Sequence, residues 1–193
     1  MEEKDKTGFA GLKVISFESR RAFEMESLIV RHGGTPLVAP SMREIPFEVN
    51  QEAVEFAKKV VQGKVDVVIL MTGVGTRFLV QGIEEVMSKK KFLDALSETA
   101  IVVRGPKPVS VLKEMGLAPT IIAPEPNTWR EILDALDKKL DISGKKVFVQ
   151  EYGMQNRSLL EGLKKRGAHV SRVPVYRWAL PDDTKPLENA IEE

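Results

Sequence analysis

Short apolar runs rich in β-branched residues alternate with helix-like patterns along the whole chain. Seven runs are the length of strands: 13–17, 35–39, 65–71, 100–103, 120–123, 146–150 and 170–173. The segments between them carry helical periodicity: 20–32, 51–62, 75–87, 92–96, 106–115, 128–140 and 156–166. Such alternation predicts βαβ units and therefore an α/β fold with largely parallel sheets covered by helices.

The pattern also repeats within the chain. Residues 14–18 align without a gap on residues 148–152, an offset of 134 residues, and the match continues through the following helix and strand. Each copy has a strand, a helix that ends at glycine, a second strand and an exit marked by Pro40 or Pro174. The repeat predicts two similar structural units.

Two proline-bracketed segments, 41–47 and 174–181, interrupt the alternation and are too short for helices. We interpret them as extended connectors that pair as a two-stranded β-ladder. Residues 48–173 then form a complete domain, and residues 1–40 with 182–193 form a first, discontinuous domain that this chain leaves incomplete. The predicted architecture is two doubly wound, flavodoxin-like parallel-sheet domains joined by the ladder. We expect the natural protein to be longer, and a monomer at full length, or this chain to be completed by another.

Composition limits the function. The net charge of +1, with 30% charged residues, lacks the basic excess typical of nucleic-acid binders. The absence of cysteine excludes disulfides and thiolate chemistry, and two histidines argue against a histidine-rich metal site. Residues 1–7 are charged and no apolar stretch suits a signal peptide or a membrane span, so the sequence predicts a cytoplasmic protein with no membrane partner.

Candidate ligand-binding residues follow three of the predicted strands. Parallel sheets bind ligands at the carboxyl ends of their strands, where helix N-termini expose N–H groups. Glycines, hydroxyls, amides and cations at these ends predict a site for an acidic ligand. The candidates are Thr72, Gly73, Val74, Gly75, Thr76, Arg104, Gly105, Lys107, Tyr152, Gly153 and Asn156.

Structural interpretations stand beside these functional ones. Glycines such as Gly73 and Gly75 are more often part of a plain turn than of an anion cradle. Arg104 and Lys107 are equally compatible with solvated surface charges. A lone tyrosine such as Tyr176 can simply cover a connector with its ring. The run 89–91, three lysines, is interpreted as a solvated segment between helices.

Several segments resemble uroporphyrinogen-III synthases. They are 66–75 (DVVILMTGVG), 105–117, 144–149 (GKKVFV), 159–168 (LLEGLKKRGA) and above all 173–177 (VPVYR), in the same order and spacing over more than 150 residues. The resemblance implies a two-domain enzyme with its active site in the cleft between the domains. Such an enzyme cyclises hydroxymethylbilane to uroporphyrinogen III, with loss of water and inversion of ring D, without metal or organic cofactor.

The resemblance also implies residue roles. Tyr176 matches the connector tyrosine, placed to donate a proton to the departing hydroxyl, and Thr72 matches a hydroxyl residue that faces the cleft. One departure is the turn after the first strand, where many family members have Thr-Arg-Pro and this chain has residues 17–19, Phe-Glu-Ser. That departure favours an alternative function, a non-catalytic module of the same fold that senses a tetrapyrrole or acidic ligand in a regulatory protein. A periplasmic-type binding protein is a third option, disfavoured by the missing signal peptide.

Overall fold

The computed structural model describes residues 8–47 and 50–192. The charged segment 1–7, the predicted domain boundary at residue 48 and the last residue of the predicted first domain lie outside the described residues. Contacts divide the described chain into two compact units, one of residues 8–45 and 178–192 and one of residues 46–47 and 50–177. Both boundaries between the units fall inside the segments interpreted as connectors.

The described residues form nine strands and eight helices, joined by turns and loops. In chain order they are β1 (Lys13–Ser16), α1 (Ala22–Arg31), β2 (Thr35–Val38), β3 (Arg43–Pro46), α2 (Gln51–Val61), β4 (Val67–Leu70), α3 (Gly73–Glu84), α4 (Lys89–Ser97), β5 (Ala100–Val103), α5 (Pro106–Glu114), β6 (Ile121–Ile122), α6 (Trp129–Lys139), β7 (Lys146–Glu151), α7 (Arg157–Lys165), β8 (His169–Pro174), β9 (Tyr176–Ala179) and α8 (Lys185–Glu192). Each of the seven predicted strands is present, which confirms an α/β fold.

The larger unit contains a five-stranded parallel sheet with the order β6-β5-β4-β7-β8. The flavodoxin-like order was therefore wrong, because it would place the second strand of the domain, not the third, at the sheet edge. A hydrophobic pattern identifies strands but not their neighbours. Here the chain moves outward from β4 to β6 and returns to the other side of β4 as β7. The direction of the connections thus reverses between β4 and β7.

Helices cover both faces of this sheet. On one face, α6 and α7 bury leucine and isoleucine side chains against β4 and β7. Val147 and Val149 are among the β7 residues in this contact. On the other face, the Phe56 ring of α2 lies 6.0 Å from the Phe92 ring of α4 and 5.2 Å from the Phe148 ring of β7, measured between centroids. Strands buried on both sides explain why the apolar runs are continuous rather than alternating.

Helix ends follow the signals in the sequence. Thr128 and Glu131 form a capping box at the start of α6, where the Thr128 N–H donates to Glu131 Oε2 at 2.8 Å. Gly116 and Gly167 follow α5 and α7 with φ of 76° and 80°, a conformation that glycine adopts without strain.

Two predicted helices begin earlier in the structure. The lysine run is the exposed first turn of α4 rather than a segment between helices, and Lys90 Nζ lies 2.7 Å from Asp94 Oδ2. Lysine is a good helix former, so a solvated run suits the outer face of a helix. Helix α3 begins at Gly73 rather than Gly75, because Thr72 caps it.

The smaller unit contains β1 and β2, which pair in parallel with Lys13 opposite Thr35, together with α1 and α8. A separate two-stranded sheet pairs β3 with β9, the strands inside the two proline-bracketed segments.

Candidate functional site

The candidate residues that follow β5, β4 and β7 lie along one edge of the five-stranded sheet. These strands are adjacent in that order, and Leu70 of β4 is in register with Val103 and Gln150. The edge is the carboxyl end of the strands, and the connections diverge there between β4 and β7. Ligands of open α/β sheets bind at such a point.

The turn after β4 is organised by Thr72. Its Oγ1 accepts a hydrogen bond from the Gly75 N–H at 3.0 Å, and the Thr72 carbonyl accepts one from Thr76 Oγ1 at 2.8 Å. Thr72 is thus the N-cap of α3, and residues 73–76 form the first turn of that helix. Because the Gly75 amide is bonded to Thr72, it does not contribute to an anion cradle. Val74 is half-buried in the same turn.

Both glycines of this turn are required by close packing. A Cβ on Gly73 would lie 2.9 Å from the Lys107 carbonyl oxygen, so α3 begins directly against the first turn of α5. A Cβ on Gly75 would lie 2.2 Å from Gln150 Nε2. The two positions therefore fix the approach of neighbouring elements, whatever ligand the edge binds.

Arg104 and Tyr152, which flank the end of β4, contact each other. Arg104 Nη1 donates a hydrogen bond to Tyr152 Oη at 2.6 Å, and the guanidinium carbon lies 5.0 Å from the centroid of the tyrosine ring. The cation is half-buried rather than a solvated surface charge. A guanidinium has five N–H donors, and this bond uses one of them.

The start of α5 is held by Asn127, which lies in the loop before α6. Asn127 follows the cis Glu125–Pro126 bond with φ of 60°. With its amide assigned from the surrounding hydrogen-bond groups, the side-chain nitrogen donates to the carbonyls of Arg104 at 2.9 Å and Ala123 at 3.1 Å. A Cβ on Gly105 would lie 2.9 Å from the Asn127 amide. Lys107 is exposed in the first turn of α5.

The segment after β7 leads into α7. Gly153 has φ of 58°, and its N–H donates to the Tyr176 carbonyl oxygen at 3.3 Å. Asn156 caps α7, since its Oδ1 accepts from the Leu159 N–H at 3.0 Å. Asn156 is therefore engaged in a local structural role.

Tyr176 is buried, with 3% of the residue exposed. Its ring meets the Phe78 ring of α3 edge to face, with centroids 5.7 Å apart. The interpretation of Tyr176 as an exposed ring covering a connector was therefore wrong. Packing fixes the orientation of the ring.

Two polar residues at the end of β7 were missed as site residues. Gln150 is 1% exposed, and its Oε1 accepts hydrogen bonds from the N–H groups of Met71 at 3.1 Å and Thr72 at 3.3 Å. Glu151 is also buried, and its Oε2 accepts from Arg172 Nε at 2.7 Å. The signal was present in the sequence, because two polar residues end an otherwise apolar strand.

An ion pair joins the outer parts of the two helices that begin at the site. Arg77 of α3 contacts Glu114 of α5 at 2.7 Å and 2.9 Å through both carboxylate oxygens. The hydrogen bonds from Arg77 lower the pKa of the Glu114 carboxyl below its ordinary value. Within the described ranges no cluster of metal-ligating side chains occurs and no helix is long and apolar enough to cross a membrane.

The family model for uroporphyrinogen-III synthase (HemD) matches residues 24–193. This chain belongs to the uroporphyrinogen-III synthase family. A Bacillus subtilis (strain 168) relative, "Uncharacterized protein YjjA", is 30% identical over 189 residues, which are 96% of this chain and 67% of that protein.

Solved structures give the same assignment. The chain superposes on a mutant uroporphyrinogen III synthase from the extremely thermophilic bacterium Thermus thermophilus with a TM-score of 0.68 and 25% identity, covering 89% of this chain and 64% of the other. For the wild-type Thermus thermophilus enzyme the TM-score is 0.61 at 26% identity, covering 94% and 68%. The family and the fold are thereby established, and the chain spans about two thirds of the length of these relatives.

Proposed function

We propose that this chain provides catalytic residues of a uroporphyrinogen-III synthase, which cyclises hydroxymethylbilane to uroporphyrinogen III with loss of water and inversion of ring D. One observation carries the proposal. In a chain of this family, the Thr72 hydroxyl that caps α3 and the Arg104 guanidinium that bonds to Tyr152 lie at adjacent strand ends, where an open α/β sheet binds ligands.

The carboxylates of the substrate suit this edge. Hydroxymethylbilane carries acetate and propionate side chains, so its recognition needs cations and N–H donors. Arg104, held by Tyr152, offers its remaining donors, and Lys107 adds an ammonium on a flexible side chain at the start of α5. Helix starts at Gly73 and Pro106 add the positive ends of two helix dipoles.

We assign Tyr176 as the proton donor. The hydroxyl of the substrate leaves as water once it takes a proton, and closure of the macrocycle releases a proton in return, so the reaction needs no external reagent. A phenol O–H is a suitable donor, and burial against Phe78 holds its ring in one orientation. Because the intermediates are reactive, positioning should supply much of the rate enhancement.

Thr72 plays the second role. Its Oγ1 accepts from the Gly75 N–H, and its O–H can donate to a substrate oxygen. We assign the Thr72 hydroxyl the role of a hydrogen-bond donor to the substrate.

Kinetics of two variants test these roles. We expect Tyr176→Phe to lower kcat for uroporphyrinogen III formation by at least about tenfold, since general acids typically contribute more than that. Thr72→Val should lower kcat as well. Thr99→Val, which removes a buried hydroxyl at the junction of α4 and β5, is the matched control and should leave kcat unchanged. Unchanged turnover in Tyr176→Phe would remove that residue from the mechanism.

A second candidate function has one observation in its favour. Glu18 follows β1, and its Oε1 accepts hydrogen bonds from the N–H groups of Arg20 at 3.0 Å and Arg21 at 3.1 Å. An internal carboxylate thus holds the amides at the end of this strand, where a substrate carboxylate would otherwise bind. This arrangement favours a module that binds a tetrapyrrole or acidic ligand without converting it.

Turnover of hydroxymethylbilane, measured beside isothermal titration with uroporphyrinogen III, separates the two functions. A sensing module should bind the product with a measurable heat and show no turnover of hydroxymethylbilane. A synthase should turn over hydroxymethylbilane, and its activity should survive dialysis against EDTA because the proposed reaction uses no metal.

A further inference from the structure

Gln150, near the end of β7, extends its side chain to the end of the neighbouring strand β4. Its side chain bonds to β4 through Oε1, which accepts from Met71 and Thr72, and to its own strand through Nε2, which donates to the Glu151 carbonyl at 2.8 Å. An amide satisfies this set because it is both an acceptor and a donor. A carboxylate lacks the donor, and an apolar side chain would leave buried N–H groups unpaired.

The same amide lies over the first turn of α3. The closest approach of a Cβ on Gly75 would be 2.2 Å to Gln150 Nε2 and 2.7 Å to Thr72 Oγ1. Gly75, Gln150 and Thr72 therefore occupy one tightly packed contact. A shift of the amide changes where the Gly75 N–H points, and with it the bond that orients the Thr72 hydroxyl.

The geometry points to Gln150 as a positioning residue for the Thr72 hydroxyl. It holds the Thr72 backbone from one side while the Gly75 N–H holds Oγ1 from the other. On this proposal the Thr72 O–H is held where it can donate to a substrate oxygen. This inference rests on the proposed synthase function and adds a residue that never contacts the substrate itself.

A double-mutant cycle tests the coupling. We expect Gln150→Leu to lower kcat by about tenfold or more with KM little changed, because the loss of one oriented donor in a transition state has at least this effect. In a Thr72→Val background, Gln150→Leu should have almost no further effect on kcat, since the group it positions is gone. Effects that multiply across the two backgrounds would overturn the inference.

Two controls separate positioning from stability. Val149→Ala alters the neighbouring residue, buried on the opposite face of β7, and its effect should multiply with that of Thr72→Val. Gln150→Glu gives a pH signature. When protonated, the glutamic acid reproduces the acceptor and the donor of the amide, so turnover relative to wild type should rise as the pH is lowered. A ratio independent of pH would contradict the proposed bonds.

Hydrogen exchange keeps the test independent of catalysis and of the folding of one variant. In Gln150→Leu the Met71 and Thr72 amides should exchange faster, while the amides of β5 keep their protection. If Gln150→Leu does not fold, Gly75→Ala is measured in its place and should show the same change. Unchanged exchange at both amides would overturn the inference. If the wild-type chain forms no uroporphyrinogen III, the proposed function fails, and exchange still decides whether Gln150 holds the turn.

Discussion

The two copies of the internal repeat have the same elements but different surroundings. Ile15 of β1 is 39% exposed, whereas the aligned Val149 of β7 is 1% exposed. Among the described residues β1 pairs with β2 alone, while β7 lies between β4 and β8 and packs under α6 and α7. The same strand–helix–strand pattern thus forms a bare sheet edge in one unit and a core in the other.

The comparison separates the formation of secondary structure from the burial of its side chains. The local pattern determines which residues form strands and helices, since both copies form them. Neighbouring elements determine how much free energy each apolar side chain contributes, because burial rather than residue type sets the hydrophobic term. Polar residues follow the same rule. Ser16 Oγ accepts from the Glu18 N–H two residues away at 3.4 Å, whereas the side chain of the aligned Gln150 crosses to the next strand.

The largest expected effect concerns the helices of the two copies. Leu159 of α7 is fully buried, and the aligned Met25 of α1 is half-buried. We expect Leu159→Ala to lower the free energy of unfolding by about 2–5 kcal/mol. Met25→Ala should lower it by less than about 1.5 kcal/mol. Urea denaturation measures both, and equal losses would show that the copies are equally packed.

A glycine provides the next test. A Cβ on Gly162 of α7 would lie 2.3 Å from Leu133 Cδ1 of α6, whereas the aligned position in α1 holds Leu28, which is 44% exposed. Gly162→Leu should destabilise the protein by about 1–3 kcal/mol through overpacking. Leu28→Ala should change the stability by less than about 1 kcal/mol. If Gly162→Leu melts at the wild-type temperature, close approach of α6 is not the reason for the glycine.

Helix capping differs between the copies as well. Asn156 caps α7 with its side chain, while Arg21 at the start of α1 makes no such bond. Asn156→Ala should cost about 1 kcal/mol of stability, and Asn156→Asp should restore it because aspartate also caps. Arg21→Ala should change the stability by no more than about 0.5 kcal/mol. A neutral Asn156→Ala would mean that another group satisfies the Leu159 amide.

The smallest effect is electrostatic and depends on pH. Arg166, the residue that follows α7, donates to both carboxylate oxygens of Asp137 of α6 at 2.6 Å, and these bonds lower the pKa of the Asp137 carboxyl below its ordinary value. The stabilisation is therefore present above the unfolded pKa and is lost as the pH falls through the lowered folded value.

Asp137→Asn should cost less than about 1 kcal/mol at neutral pH, because the pair is largely solvated. The difference from wild type should vanish in strong acid. A difference that persists there would indicate lost packing rather than lost charge.

The strands were predictable from the sequence because short apolar runs rich in β-branched residues are typical of buried strands. The candidate site was predictable in part, since glycine, hydroxyl and cation follow the strands that meet at the sheet edge. Strand order was not predictable, because the pattern around β4 and β7 does not encode which side of the sheet the chain crosses. Gln150 was missed because its role depends on hydrogen bonds to Met71 and Thr72, which are distant from it in sequence.

The most direct measurement is the isomer composition of uroporphyrinogen formed from freshly made hydroxymethylbilane. Closure without inversion of ring D gives the type I isomer, so type III reports the proposed chemistry. We expect a fraction of type III that rises with the concentration of the protein and falls in Tyr176→Phe. Type I alone at every protein concentration would contradict it.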